Sequence, residues 1–182
     1  LSTADHISMT YGGSSALVGS DGIGGSINIS SSIPKEWNKS NELNISQSIG
    51  SFKNIYSSLH FSSIRKKTSH SIKAYRSYCE NQFPFKNITK PGSPIEKQQN
   101  ADFYQYGYTE DFHVKLTNRQ LLSIHAWATY MNRAIQPSMF NNTITNEKQE
   151  DANVRGLLSY QYESSIGYLT CKIAYLYDWI AY

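Results

Sequence analysis

The stretch Tyr11–Ser32, YGGSSALVGSDGIGGSINISSS, holds six glycines and seven serines. A loop of that composition can cradle a phosphate with its backbone amides or present a serine nucleophile. Neither chemistry fits these residues. Gly19, Gly22, Gly24 and Gly25 do not fall into G-x-G-x-x-G, and no G-x-x-x-x-G-K-[ST] is present. G-x-S-x-G is absent too, and no His or acidic partner is placed to activate a serine. A slack tether fits no better, because Ala16-Leu17-Val18 and Ile27-Asn28-Ile29 are apolar and regularly placed. The pattern predicts a short helical turn over 14–18, a glycine turn, and a buried strand at Ile27–Ile29. Glycines set this closely mark tight turns and close backbone approach.

Other groups capable of chemistry are scattered. His60, His113 and His125 fall singly on the polar sides of alternating runs, so no metal is assigned to them. Asp102 and Asp151 stand at the bases of long connections, and the multi-aspartate clusters that an oxygen-rich metal site needs are thin. Cys79 and Cys171 have neither metal nor redox spacing; Cys171, among apolar neighbours, is expected to be buried, and pairing of the two is left open. The formal charge is +3, and the longest basic run, Arg65-Lys66-Lys67, is a solvated turn, so nucleic acid is not a partner.

The elements that must position these groups are strands. Charged residues are 17% of the chain, against about a quarter in an average domain, while tyrosine occurs 14 times. Period-two alternation runs through 42–50, 55–65, 69–79, 103–116, 120–130, 154–162 and 167–179, and no amphipathic helix exceeds a turn or two. Most runs are longer than the five or six residues usual in soluble sheets and match the length of a tilted membrane-spanning strand. Connections at 65–68, 117–119 and 163–166 are tight and polar, whereas 81–102 and 131–153 are long; only 51–54 is short where a long one belongs. Short turns on one rim and long loops on the other are an outer-membrane barrel pattern, with Tyr104, Tyr130 and Trp179 near strand ends as an interface girdle. Seven strands cannot close such a barrel, so an eighth from elsewhere or a larger parent is expected. A soluble antiparallel sandwich remains as the alternative.

The segment Tyr11–Ile29 resembles the C-terminal end of the plug domain of TonB-dependent outer-membrane receptors, which shows a Ser-x-Leu-Tyr-Gly element, a small-residue turn and Gly-Gly-x-Ile-Asn-Ile. Val18 and Ser26 depart mildly from that pattern. Ser48–Phe52 is similar to the family's first strand pair with its short loop, and Glu80–Phe85 to the element opening the next outer loop. Asn100–Gly107 and His125–Trp127 resemble the cobalamin-receptor-like branch.

The resemblance implies a fragment: the plug end over 1–34, and the first strands of a large antiparallel transmembrane β-barrel over 35–182, with a linker containing Trp37. It implies a non-enzymatic receptor in the cell outer membrane that takes up a scarce large nutrient, cobalamin or a ferric siderophore. Its partners would be outer-membrane lipid, the substrate, and the TonB complex acting through a plug region outside this chain. No tightly held cofactor is implied, though the resemblance to the cobalamin-receptor-like branch would let Asp102 and Asp151 help hold a structural calcium. Gly19, Gly22, Gly24, Gly25, Ile27, Asn28 and Ile29 would pack the plug, and Tyr78, Phe83 and Phe85 would offer flat aromatic surface to a corrinoid or an aromatic siderophore. A small eight-stranded barrel with an adhesin or structural role would need none of the plug motif.

Overall fold

A computed structural model of the chain describes residues 6–12, 24–30, 33–34, 36–138, 140 and 146–182. The chain divides into two units, Leu1–Glu36 and Trp37–Tyr182. The described residues are strands, turns and a single 3-10 turn, and every strand pairing is antiparallel.

In the first unit, β1 (His6–Tyr11) pairs with β2 (Gly25–Ser30), joining Ile7 to Ile29, Met9 to Ile27 and Tyr11 to Gly25. Gly25 has a φ of +144°, and a Cβ there would stand 2.5 Å from the carbonyl oxygen of Thr10. The backbones approach at Gly25 as closely as the glycine spacing predicts. Gly24 has open space around it. The expected helical turn over 14–18, and Gly19 and Gly22, lie outside the described residues. Taken by itself this two-stranded ribbon cannot cover its own apolar face of Ile7, Met9 and Ile27, and Ile27 is 63% exposed.

The second unit is one sheet of seven strands in the order β11-β10-β9-β8-β5-β4-β3, with a small separate hairpin. These are β3 (Ser40–Gly50), β4 (Asn54–Ile64), β5 (Thr68–Cys79), β8 (Phe103–Thr117), β9 (Gln120–Ala134), β10 (Lys148–Ser164) and β11 (Gly167–Ala181). Every strand the alternation predicts is present, each at least as long as expected. The hairpin is β6 (Pro84–Lys86) with β7 (Ile95–Lys97), set within the long connection 81–102. The second long loop is also shorter than expected, 135–147, because β9 and β10 stay paired out to Ala134 and Lys148. Among the described residues β3 and β11 each pair along one edge, so the sheet does not close into a barrel.

Period-two geometry gives the sheet two unlike faces. Register places Ser69, His113, Ser123, Ser159 and Lys172 in one row, with Ser71, Asp111 and His125 in the next. The opposite face carries rows such as Phe112–Ile124–Leu158–Ile173 and Tyr108–Ala128–Val154–Tyr177. Burial runs against the usual rule. The buried side chains of the sheet's polar face include Ser69, Asp111, His113, Ser123 and Ser159, while Asn132 is buried on the opposite face beside Tyr104 and Glu150. Ile45, Ile124, Val154, Leu158, Ile173 and Tyr175 on the other face are exposed. A water-soluble sheet packs its apolar face and wets its polar one; this one does the reverse.

Candidate functional site

Chain direction puts the turn 51–53 and the loops 80–102 and 135–147 on one rim, and the turns 65–67, 118–119 and 165–166 on the other. The long-loop rim is built around the 3-10 turn Ser51–Lys53, where Phe52 (φ 57°, ψ 36°) and Lys53 (φ 54°) are both left-handed. The carbonyl of Phe52 accepts the backbone N–H of Glu80 at 3.1 Å and the Cys79 thiol at 3.5 Å. Lys53 forms an ion pair with the Glu80 carboxylate, and that hydrogen bond, more than the charge attraction, raises the lysine's pKa above its ordinary value. Asn81, left-handed at φ 56°, takes the N–H of Phe83 on its carbonyl at 2.9 Å. The Phe52 and Phe83 rings then meet edge to face, centroids 6.3 Å apart at 71°.

Beyond Phe83 the loop is held by a buried asparagine. Asn87 is fully buried; its amide donates to Glu96 Oε2 at 2.9 Å, and its Oδ1 accepts the N–H of Thr89 at 3.1 Å and that residue's hydroxyl at 2.6 Å. Lys90 Nζ reaches Glu96 Oε1 at 2.6 Å. The Asn87 bond first, then the Lys90 bond, hold the Glu96 carboxyl below its ordinary value. Asn100, left-handed at φ 49°, donates to the carbonyls of Ile135 at 2.7 Å and Glu147 at 3.1 Å, tying the two loop bases together.

The polar face carries a second cluster. His125 Nδ1 lies 2.6 Å from Asp111 Oδ1, and His113 Nδ1 lies 2.8 Å from Ser123 Oγ. The two imidazoles are 5.2 Å apart, centroid to centroid, at 70°. The expectation that the histidines stand singly is thus corrected for this pair, because antiparallel register sets them diagonally across β8 and β9. His60 is apart from them, with Nε2 3.2 Å from Ser71 Oγ.

The aromatic candidates do not converge. Phe83 is 38% exposed at the rim, and Phe85 is half-buried in β6, opposite Glu96. Tyr78 lies on the apolar face of the sheet, opposite Ile55 and Tyr104, in the row of rings that runs toward the rim. Phe52 was missed from sequence; only its place in the short turn on the long-loop rim could have pointed to it.

Asp102 and Asp151 are not joined in a cluster. The carbonyl of Asp102 accepts the N–H of Ala134, while Asp151 takes a bond from Gln149 at 2.8 Å and lies 4.0 Å from Arg133. Among the described residues no group of three or more His, Cys, Asp or Glu is placed to hold a metal ion. Cys79 is buried and Cys171 exposed, both as free thiols on opposite faces of the sheet. This corrects the expected burial of Cys171: its apolar neighbours belong to an uncovered face. No family model matches the chain, and no curated protein matches it in sequence.

Proposed function

We propose that this chain is part of a TonB-dependent outer-membrane receptor: the end of its plug and the first strands of its barrel. The inverted polarity of the seven-stranded sheet carries the membrane part of this proposal. An apolar face left outward is stable against lipid, and a polar face turned inward suits a water-filled or plugged lumen. Dimensions agree. The outward rows run from Tyr162 and Leu169 to the ring row of Tyr106, Tyr130 and Trp179. Ten residues at roughly 3.4 Å each, tilted by about 40°, span about 26 Å, close to the apolar band of such barrels. Long-loop length weighs less than the sequence suggested, since one loop holds a hairpin and the other is shorter. The receptor part rests on the resemblance of Tyr11–Ile29 to the plug end, to which the strand β2 and the close approach at Gly25 lend support.

The substrate class would be a scarce nutrient too large for porins, cobalamin or a ferric siderophore, taken in without chemical change. The test is growth of a strain deleted for the parent gene on limiting cobalamin and on limiting iron, with and without an uncoupler. The proposal expects a defect on one nutrient, restored by the full-length gene only while the proton gradient is intact. Normal growth on both, or extraction of the parent protein into buffer without detergent, would contradict it. A signal peptide directly before Leu1 in the parent gene would favour a small barrel instead.

A further inference from the structure

We infer that Ser63, His70 and Glu110 form a serine hydrolase site on the outward face of the sheet, acting on the acyl ester of a membrane phospholipid. The inference rests on that face meeting lipid and goes beyond the receptor proposal. Glu110 and His70 lead to it. They are bonded at 2.8 Å on the apolar face, with side chains 37% and 33% exposed to the outside. A paired charge does little for stability there, and an ionisable pair kept on a lipid-facing surface is a candidate for function.

An ionised carboxylate only accepts hydrogen bonds, so His70 Nε2 carries the proton and Nδ1 keeps its lone pair. Ser63 lies directly opposite His70 across β4 and β5, on the same face. Such a pair can join Nδ1 to a serine hydroxyl: His113 and Ser123, directly opposite on β8 and β9, meet that way at 2.8 Å. Asn41 stands opposite Ser63 on its other side. Its Oδ1 accepts from Arg65 at 2.9 Å, which leaves its amide N–H groups for a developing oxyanion. Oxyanion donor, nucleophile, base and carboxylate thus come from four neighbouring strands, β3, β4, β5 and β8.

The position suits a lipid ester. Ser63 is the last residue but one of β4, and the short turn after it exposes Lys66 and Lys67, cations placed for a lipid phosphate. Away from that turn the next rows are Leu43, Phe61 and Ile72, then Ile45, Leu59 and Ala74, a bed for acyl chains. Ser63 Oγ attacks the ester carbonyl carbon while His70 Nδ1 takes its proton. The bond from that carbon to the glycerol oxygen breaks, and His70 gives the proton to the leaving oxygen. Water then attacks the acyl-serine, passing a proton through His70 back to Ser63, and a fatty acid leaves. The net reaction turns phospholipid and water into lysophospholipid and fatty acid. Glu110 is a positioning residue that holds the imidazole in the required tautomer.

The test places the full-length parent in vesicles of phosphatidylethanolamine and phosphatidylglycerol and measures fatty acid and lysophospholipid by mass spectrometry. A long-chain alkyl fluorophosphonate probes the serine, and circular dichroism checks that each variant is folded. Release above protein-free vesicles is expected, with the probe on the peptide that holds Ser63. Ser63→Ala and His70→Asn should each slow release at least about a hundredfold, and the double variant little further, since the groups act as one unit. Glu110→Gln should slow it about tenfold and shift the pH–rate profile, which a merely structural role would not do. Ser57→Ala, on the same face nearer the other rim, should release at the wild-type rate. No release from the wild type, or wild-type release from folded Ser63→Ala, overturns the assignment and leaves the receptor proposal to the growth test.

Discussion

His113 and Ser123 stand opposite each other across β8 and β9, joined at 2.8 Å and each no more than 2% exposed, while the next pair along, Phe112 and Ile124, points to the uncovered face. The sheet therefore keeps this hydrogen bond on its polar face and the Phe112–Ile124 pair on its apolar one. Removing the hydroxyl leaves a buried imidazole nitrogen without its partner. Ser123→Ala is expected to destabilise the purified parent by about 1–3 kcal/mol, measured by chemical unfolding in lipid vesicles, with Ser123→Thr close to wild type.

The apolar face carries polar groups as well, Arg76 between Ser57 and Tyr106 among them, and one carboxylate in mid-sheet. Glu110 sits mid-strand on β8 between Ile72 and Ala126, with its carboxylate bonded by Tyr108 at 2.7 Å and His70 at 2.8 Å. On a lipid-facing surface such a pair gains little from water and each half depends on the other. His70→Leu alone should cost at least about 1 kcal/mol, whereas His70→Leu with Glu110→Leu should be at least as stable as wild type. Unfolding in vesicles distinguishes the two; a double variant less stable than the single one would contradict an outward lipid face.

Gly107 is buried on the polar face beneath the ring of Tyr75, and a Cβ there would lie 1.9 Å from Tyr75 Cε1. That ring cannot swing freely, because its hydroxyl accepts a bond from Gln105 at 3.0 Å and it stacks on Tyr56 at 5.9 Å. Gly107→Ala should therefore cost about 1–3 kcal/mol by overpacking. Adding Tyr75→Ala should recover part of that loss, a non-additivity that a double-mutant cycle measures directly.

Much of this fold is legible in the sequence because alternation over long strands is a strong signal. Tyr104, Tyr106 and Tyr108 against Gln105 and Thr109 define β8 and its two faces without any structure. What failed is physical in each case. β6 and β7 have three residues each, too few to alternate, and are held instead by the buried side chain of Asn87. β9 and β10 run on past the apolar band through Asn132, Arg133, Gln149 and Glu150, where polar residues occupy both faces and period two disappears. The meeting of His113 with His125 depends on register, which the turn at 118–119 fixes and residue spacing does not. β1 alternates as Ile7, Met9 and Tyr11 but is short, and only its pairing with β2 reveals it. The edge-to-face contact of Phe52 with Phe83 was half visible: Phe83 by type, Phe52 only through a backbone conformation that no residue pattern announces.

Acidity should loosen the outer hairpin selectively. Asn87 and Lys90 hold the Glu96 carboxyl below its ordinary 4.5, so the folded state binds the proton less well than the unfolded one. The stabilisation is therefore present in full above that ordinary value and is lost as pH falls through the lower folded value. Hydrogen exchange at the amides of Asn87 and Gln98, which donate to Pro94 and Phe83, should quicken as pH drops below about 4.5 once the intrinsic exchange rate is divided out. In Glu96→Gln the same amides should lose this acid dependence and be less protected at neutral pH.

The most direct test of a lipid-facing apolar surface compares neighbouring positions on β9. Single cysteines replacing Ile124 and Ser123, in the full-length parent with Cys79 and Cys171 changed to serine, would carry a small fluorophore in vesicles with and without brominated acyl chains. Successive residues of a strand point to opposite faces. The account expects strong quenching by brominated lipid at position 124 and little at 123. Equal quenching at both, or quenching at 124 only by a water-soluble quencher, would contradict it.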